Sequence, residues 1–345
     1  MSTPRSLKMP DRVRSGTART ERGGFAILEA QPGHGVCERR PALLVPGYTG
    51  SKEDFLPVLE PLATAGRTVV AMDLRGQYQS APASDRSGYA PDQLAADVLA
   101  MAESVSQAGG GTQIGGAAHT GSPAHTDSGA QAGGVHLVGH SMGGLIACSA
   151  ALLGTGRILS LTLIGSGPGA IGGRKAAGLR QTLALLDQPG APDRDDRDAL
   201  AALVQRVWRE RLEPEARAAG TDERIIAFLR ERTLRACPIG LFEMARRLLE
   251  WPDRTEELAA LSRPVKPSGA VQLPVLVIYG ENDDAWSPAA QDRMAKRLGA
   301  ERACIPAAAH SPAIEAPDTT GRALTTFWNA TEGKAERRRP APAQD

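Results

Sequence analysis

The sequence predicts an α/β fold with a mostly parallel sheet flanked by helices, and three observations lead there. Short apolar runs bounded by Gly or Pro alternate with amphipathic helical runs, a Gly-x-Ser-x-Gly pentapeptide sits at one strand-to-helix junction, and a long charged helical stretch interrupts the alternation late in the chain. GGFAILEA, PALLVPG and RTVVAMDLRG read as the first strands. PDQLAADVLAMAESVSQ follows as a helix, with Pro91 at the first helical position and Leu94, Val98, Met101, Ala102 and Val105 at helical spacing. VHLVGHS then runs as a strand into MGGLIACSAALL, a helix, and ILSLTLIGS, PVLVIYG and RACIP supply the remaining strands.

Two segments break the alternation. Residues 108–134 are rich in Gly, Ala, Ser and Thr and nearly lack large apolar side chains, so they bury too little to offset their ordering entropy and read as a disordered insertion. Its glycines do not make a phosphate loop, because no Lys-Ser or Lys-Thr follows them, and His119 and His125 have no ordered partners to support a metal. Residues 172–261 carry apolar positions at three- and four-residue steps between Arg and Glu, as in DRDALAALVQRVWRERL and GLFEMARRLLEW. A helical excursion of that length exceeds an ordinary crossover and predicts a lid over the sheet's C-terminal edge. The α/β core is thus divided into 24–171 and 262–333. Residues 1–23, polar and Arg-rich without periodicity, read as a mobile leader, and residues 334–345 as a disordered tail.

Bulk composition excludes several classes. A net charge of +1 over 345 residues gives no reason for a nucleic-acid or other polyanionic partner, so the expected partner is a small-molecule substrate. No run is apolar enough for a secretory signal or a membrane span, and a cytoplasmic location is the expectation. Cys37, Cys148, Cys237 and Cys304 are far apart, without CxxC pairs or nearby His, so neither a metal site nor a disulfide framework is expected.

The chemistry centres on Gly139-His140-Ser141-Met142-Gly143, directly after an apolar strand and before a helix. A Ser on such a tight turn is strained and needs small residues two before and two after it. With 38 glycines in the chain the pentapeptide alone is weak, and its flanking strand and helix give it weight. A serine hydroxyl needs a base, which a carboxylate must orient, and on this topology the order is Ser, acid, His. His310 is the sole histidine after Ser141, which makes it the base. Asp283 and Asp284 follow PVLVIYG and are the candidate acids, with Asp283 preferred because the third position after the strand-ending Gly points toward the His loop; Glu281 is read as a solvated turn residue. The loop after ILSLTLI, GSGPGAIGG, offers no rival carboxylate.

The oxyanion requires two backbone N–H donors. Met142, at a helix N-terminus, is one, and Tyr48 in Pro46-Gly47-Tyr48-Thr49-Gly50 is the other, with Thr49 as the alternative. Tyr48 and Trp286 are also candidate substrate contacts. His140 is assigned a packing or hydrogen-bonding role, and Asp73 and Arg75 are assigned to fixing their own loop. Lid residues Phe228, Phe242, Met244, Leu248 and Trp251 are candidates for an apolar pocket, although their spacing equally suits core packing.

On PGYTGS, DLRGQYQS, GHSMGG, YGENDDAW and AAAHSP, in that order, the chain resembles the α/β-hydrolase superfamily, as a lidded serine hydrolase of the esterase and haloperoxidase type, from about residue 24 to 332 apart from the Gly-rich insertion. Two positions depart from the pattern: Pro46 stands where such proteins usually have His, removing a side chain that often braces the oxyanion loop, and Tyr78 stands where they usually have Gly. The resemblance implies cofactor-free cleavage of an ester-like bond in a small to medium, largely apolar substrate through an acyl-enzyme. A serine nucleophile argues against haloalkane dehalogenase or epoxide hydrolase chemistry. Perhydrolysis, C–C bond hydrolysis, thioester cleavage and acyl transfer share the same triad, and a low-turnover ligand-binding protein shares the same fold.

Overall fold

A computed structural model describes residues 2–33, 39–107, 133–264 and 273–337. Eight strands form one sheet: β1 (Val13–Thr20), β2 (Gly23–Ala30), β3 (Arg39–Val45), β4 (Arg67–Met72), β5 (Val135–His140), β6 (Ile158–Ile164), β7 (Val275–Gly280) and β8 (Glu301–Ile305). Their order is β1-β2-β4-β3-β5-β6-β7-β8, with β1 and β2 antiparallel at one edge and β3 to β8 parallel.

Residue alternation explains why this sheet is covered on both faces. Leu43, Val45, Val70, Met72, Leu137, Val275 and Val277 pack toward α2 (Pro91–Gln107) and α3 (Met142–Leu153), which follow α1 (Leu56–Thr64) in the chain. Their neighbours Ala42, Leu44, Val69, Ala71, Val138, Leu276 and Ile278 pack on the opposite face against α1 and the C-terminal helix. Between β6 and β7 the chain makes α4 (Gly173–Ala184), α5 (Arg197–Val207), α6 (Glu213–Ala218), α7 (Glu223–Arg235), α8 (Pro238–Glu250) and α9 (Thr255–Ser262). A π-helical turn, Trp208–Leu212, joins α5 to α6. After β7 come α10 (Pro288–Leu298), then α11 (Pro312–Glu315) and α12 (Pro317–Arg337) beyond β8. The fold is therefore a mostly parallel sheet flanked by helices, with a helical insertion between two of its strands.

Both chain ends differ from expectation. Residues 13–20, expected within a mobile leader, form β1, paired along its length with β2. Only Val13 and Ala18 of that strand are buried, so an edge strand with a solvated outer face presents almost no apolar pattern to read. At the other end the helix runs on through Lys334 to Arg337, where a tail was expected, while residues 338–345 lie outside the described residues. Apart from Gly133 and Gly134, the expected insertion at 108–134 also lies outside them.

The end of the sheet opposite the C-terminal strand edge is pinned by a polar cluster. Arg67, fully buried at the start of β4, donates to Glu332 Oε1 at 2.8 Å, to Asn329 Oδ1 at 2.6 Å and to the Arg40 carbonyl at 2.9 Å. His136 on β5 lies 2.9 Å from the same Glu332 oxygen and 2.7 Å from Ser160 Oγ on β6. Burial pushes the Glu332 carboxyl up, but the hydrogen bonds from His136 and Arg67 outweigh it and hold the group at about 2. Because the folded value lies below the ordinary one, the stabilisation is complete above the unfolded value of 4.5 and disappears as the pH falls toward 2. Glu332→Ala leaves Arg67 without its carboxylate, and urea denaturation at neutral pH is expected to show a loss of about 3–5 kcal/mol. The deficit of Glu332→Gln should narrow as the pH is lowered from 4.5 toward 2.

Candidate active site

Parallel strands deliver six loops to one edge of the sheet, those after β3, β4, β5, β6, β7 and β8. Ser141 stands between β5 and α3 with φ 56° and ψ −123°, a backbone conformation that costs a non-glycine residue about 1–3 kcal/mol. Close packing imposes it. A side chain on Gly139 would collide with the carbonyl of Gly143, and one on Gly143 would collide with the Val45 and Pro46 carbonyls. The loop after β3 also crosses the nucleophile turn, since a Cβ placed on Gly47 would lie 2.8 Å from Ser141 Cβ.

His310, in the loop after β8, bridges two groups. Its Nε2 lies 3.0 Å from Ser141 Oγ, and its Nδ1 lies 3.0 Å from Asp283 Oδ1. With the Nδ1 proton directed to the carboxylate, Nε2 is left to accept from the serine hydroxyl. Asp283, fully buried in its side chain, also accepts from the Ala285 amide at 2.9 Å and from Gln291 Nε2 at 2.9 Å. Burial pushes its carboxyl up, yet the hydrogen bond and charge of His310 outweigh this and hold it below the usual carboxylate range. Burial lowers His310 to about 4, against a smaller upward pull from Asp283. Asp284 does not join this chain: it is half exposed and pairs with Lys175 at 2.9 Å.

The remaining expected residues divide. Met142 opens α3, at the end of a helix where amides lack intrahelical acceptors. Tyr48 and Thr49 both line the cavity above Ser141, Thr49 in a left-handed conformation at φ 57°. Trp286 does not line it. Its indole is buried and donates to the Gly169 carbonyl at 3.1 Å and the Ala170 carbonyl at 3.3 Å, so the ring supports the loop after β6. Of the five apolar insertion candidates, Phe242 and Leu248 reach the cavity wall, while Phe228, Met244 and Trp251 serve as packing residues away from it.

Several polar supports surround these residues, and of them Gln291 and Gln77 carried no signal in the sequence. His140 donates from Nε2 to the His310 carbonyl at 2.9 Å, and burial lowers its own pKa to about 4, so it holds the His310 backbone as a neutral donor. Gln291, the partner of Asp283, also donates to the Trp286 carbonyl at 2.8 Å. Gln77 donates to the Gly47 carbonyl at 2.9 Å, bracing the loop whose customary histidine is replaced by Pro46. Asp73 fastens the same region through the Lys52 amide at 2.8 Å and ammonium at 2.9 Å, whereas Arg75 pairs with Asp97 at 2.6 Å.

The cavity measures about 570 Å³ and is walled by the insertion, with Ile171, Leu179, Val204, Val207, Leu241 and Phe242 facing the polar group at its floor. Among the described residues no group of three or more His, Cys, Asp or Glu side chains stands close enough to hold a metal ion. No helix among them is long and apolar enough to cross a membrane.

Comparison with known proteins agrees with this architecture. The chain is 27% identical over 287 residues to the dihydrolipoyllysine-residue acetyltransferase component of the acetoin cleaving system of Pseudomonas putida. That match covers 83% of this chain and 63% of the relative, so the chain spans less than two thirds of that protein's length. Among solved structures, a thermophilic esterase from Thermogutta terrifontis superposes with a TM-score of 0.57 at 21% identity, over 92% of this chain and 98% of that one. The enol-lactonase from Burkholderia xenovorans LB400 gives a TM-score of 0.59 at 19% identity, over 91% and 99%. At these identities the likeness speaks for the fold alone. The sequence profile described as "Alpha/beta hydrolase family" matches residues 42–323, which span every one of the six loops, and the chain belongs to that family.

Proposed function

We propose that the protein is a serine hydrolase that cleaves an ester-like bond of a small to medium, largely apolar substrate through an acyl-enzyme. The observation that carries this reading is the position of the His310 ring, 3.0 Å from Ser141 Oγ on one side and 3.0 Å from Asp283 on the other. In the mechanism, His310 Nε2 takes the hydroxyl proton as Ser141 Oγ attacks the substrate carbonyl. The Met142 and Tyr48 amides receive the developing oxyanion. Collapse breaks the bond to the leaving group, which departs with the proton held by His310. Water then repeats the sequence on the acyl-enzyme, yielding the acid and restoring Ser141. Asp283 keeps the proton on Nδ1 and stabilises the imidazolium in both halves. The apolar cavity walls support acyl or alcohol portions of modest size, since clefts of about 300–1,000 Å³ are the usual range for small molecules.

Labelling with a fluorophosphonate is expected to add one phosphonyl group to Ser141, seen by mass spectrometry of the tryptic peptide, and none to Ser141→Ala; an unlabelled Ser141 in folded protein would overturn the reading. With p-nitrophenyl esters of increasing chain length, Asp283→Asn should lower kcat on the order of 10³- to 10⁴-fold, and Asp284→Asn should stay within about threefold of the parent.

The pH dependence follows from the burial of His310. The base works only when neutral, so kcat/KM should be flat at neutral pH and fall as the pH drops through the His310 value of about 4. A measured acid limb centred near the ordinary histidine value of 6.5 would contradict this.

A further inference from the structure

The insertion lines the cavity with apolar side chains, the polar Gln181, Thr182 and Thr233, and a charged group in which Arg174, Lys175 and Arg211 outnumber one acidic residue, Glu215. Several arginines elsewhere on the insertion are committed to carboxylates, Arg217 to Glu213 and Glu223, Arg232 to Asp54, Arg235 to Glu231, Arg246 to Glu243 and Arg254 to Glu257, and the cavity-lining Arg174 is exposed. Arg211 has no carboxylate within ion-pair distance among the described residues. Its one hydrogen bond runs from Nη2 to Thr182 Oγ1 at 2.8 Å, leaving most of the five guanidinium N–H donors unused. It is presented by the π-helical turn Trp208–Leu212, a departure from regular helix that costs hydrogen-bond quality and recurs where a side chain must be aimed. Arg211 also lies close enough to the Tyr48 side chain, which packs against the insertion, for its charge to oppose the upward push that burial exerts on the Tyr48 hydroxyl. Lys175 is less available, being paired with Asp284.

We propose that Arg211 is a specificity-determining residue, and that the site takes esters carrying a carboxylate on the portion that fills the insertion end of the cavity. The inference rests on the Ser141 hydrolase reading given above. The chemistry suits the planar fork: a guanidinium offers two parallel N–H donors to a carboxylate, and in a cavity with apolar walls such a charge-assisted pair is stronger than on a wet surface. The same walls make an uncharged group opposite Arg211 costly, since its donors then lose water without gaining a partner.

The test compares p-nitrophenyl hydrogen glutarate with its uncharged methyl p-nitrophenyl ester, reading kcat/KM for both on the full chain. The parent protein is expected to favour the anionic ester about tenfold or more, and Arg211→Gln to lower that ratio about 10- to 100-fold, chiefly through KM. Arg211→Lys should restore part of the ratio, because it returns the charge without the fork. Arg209→Gln, a change at an exposed neighbour that pairs with Glu210, should leave the ratio as it was. A parent enzyme that prefers the uncharged ester, or an Arg211→Gln change that lowers both substrates equally, overturns the carboxylate proposal and leaves the hydrolase reading standing. Failure to cleave either ester, with no phosphonyl adduct on Ser141, overturns both.

Discussion

Everything at the functional edge depends on one backbone residue held in an unfavourable conformation. Ser141 sits at φ 56° because β5 must end and α3 begin within a single turn, and only that turn lifts the hydroxyl above the sheet toward His310. Such a conformation persists when its surroundings over-determine it. Here the Ser141 amide donates to the Ile164 carbonyl at 2.9 Å, Gly139 and Gly143 let adjacent backbone close around the turn, and the loop after β3 packs directly on top. The cost of about 1–3 kcal/mol is offset by a sheet whose central strands are buried on both faces.

Around that turn runs a layer of neutral and paired polar groups that fix orientation. Gln291 and the Ala285 amide occupy Asp283 oxygens, so the carboxylate has few ways to turn away from His310. His140 grips the backbone of His310 from the nucleophile side, which ties the two loops together. The oxyanion loop shows how the same end is reached by different residues. Pro46 cannot supply the usual histidine brace, and Gln77 from the DLRGQ segment reaches the Gly47 carbonyl instead, its own Oε1 accepting from the Leu74 amide at 3.1 Å. Tyr78, standing where glycine is usual, accepts φ 34° and places its ring edge-on to Phe228 of α7, centroids 5.7 Å apart.

Much of this was legible in the sequence because burial writes a strong period. The doubly covered strands read as continuous apolar runs, and the insertion helices read at three- and four-residue steps. Of the residues that the sequence singles out by motif, by uniqueness and by elimination, His310 stands within hydrogen-bond reach of both Ser141 and Asp283. Edge strand β1 was not legible, since an edge needs only two buried residues and its remainder looks like solvated chain. Trp286, a candidate substrate contact in the sequence, instead spends its indole donor on backbone carbonyls of the loop after β6, a partner that lies over a hundred residues away and leaves no local trace. Gln291, Gln77 and Arg211 gave no signal at all: their roles depend on what lies opposite in space, which a single polar residue on a helix or loop does not disclose.

The insertion is joined to the sheet unevenly, and that unevenness separates chemistry from selectivity. On the α7 side, Arg232 is almost wholly buried and donates to Asp54 Oδ1 at 2.8 Å and to the Ser2 carbonyl at 2.7 Å, locking the helix to the loop after β3 and to the N-terminal segment. Burial pushes the Asp54 carboxyl up and Arg232 pulls it back, so the pair is interdependent: either partner alone would be a stranded buried group. On the α4 side only Ala176 is fully buried, and the links to the rest of the insertion are the partly buried Leu183, packed against the α5 and α8 side chains, and the hydrogen bond from Arg211 to Thr182. The walls of the cavity therefore rest on a rigid corner beside the nucleophile and a lightly held helix beyond it. Residues on the rigid corner are constrained by the Ser141 turn they support, whereas those on α4 and the π-helical turn are free to vary with the molecule they enclose. On the proposed reading, the chemistry belongs to the sheet edge and the choice of substrate belongs to the insertion.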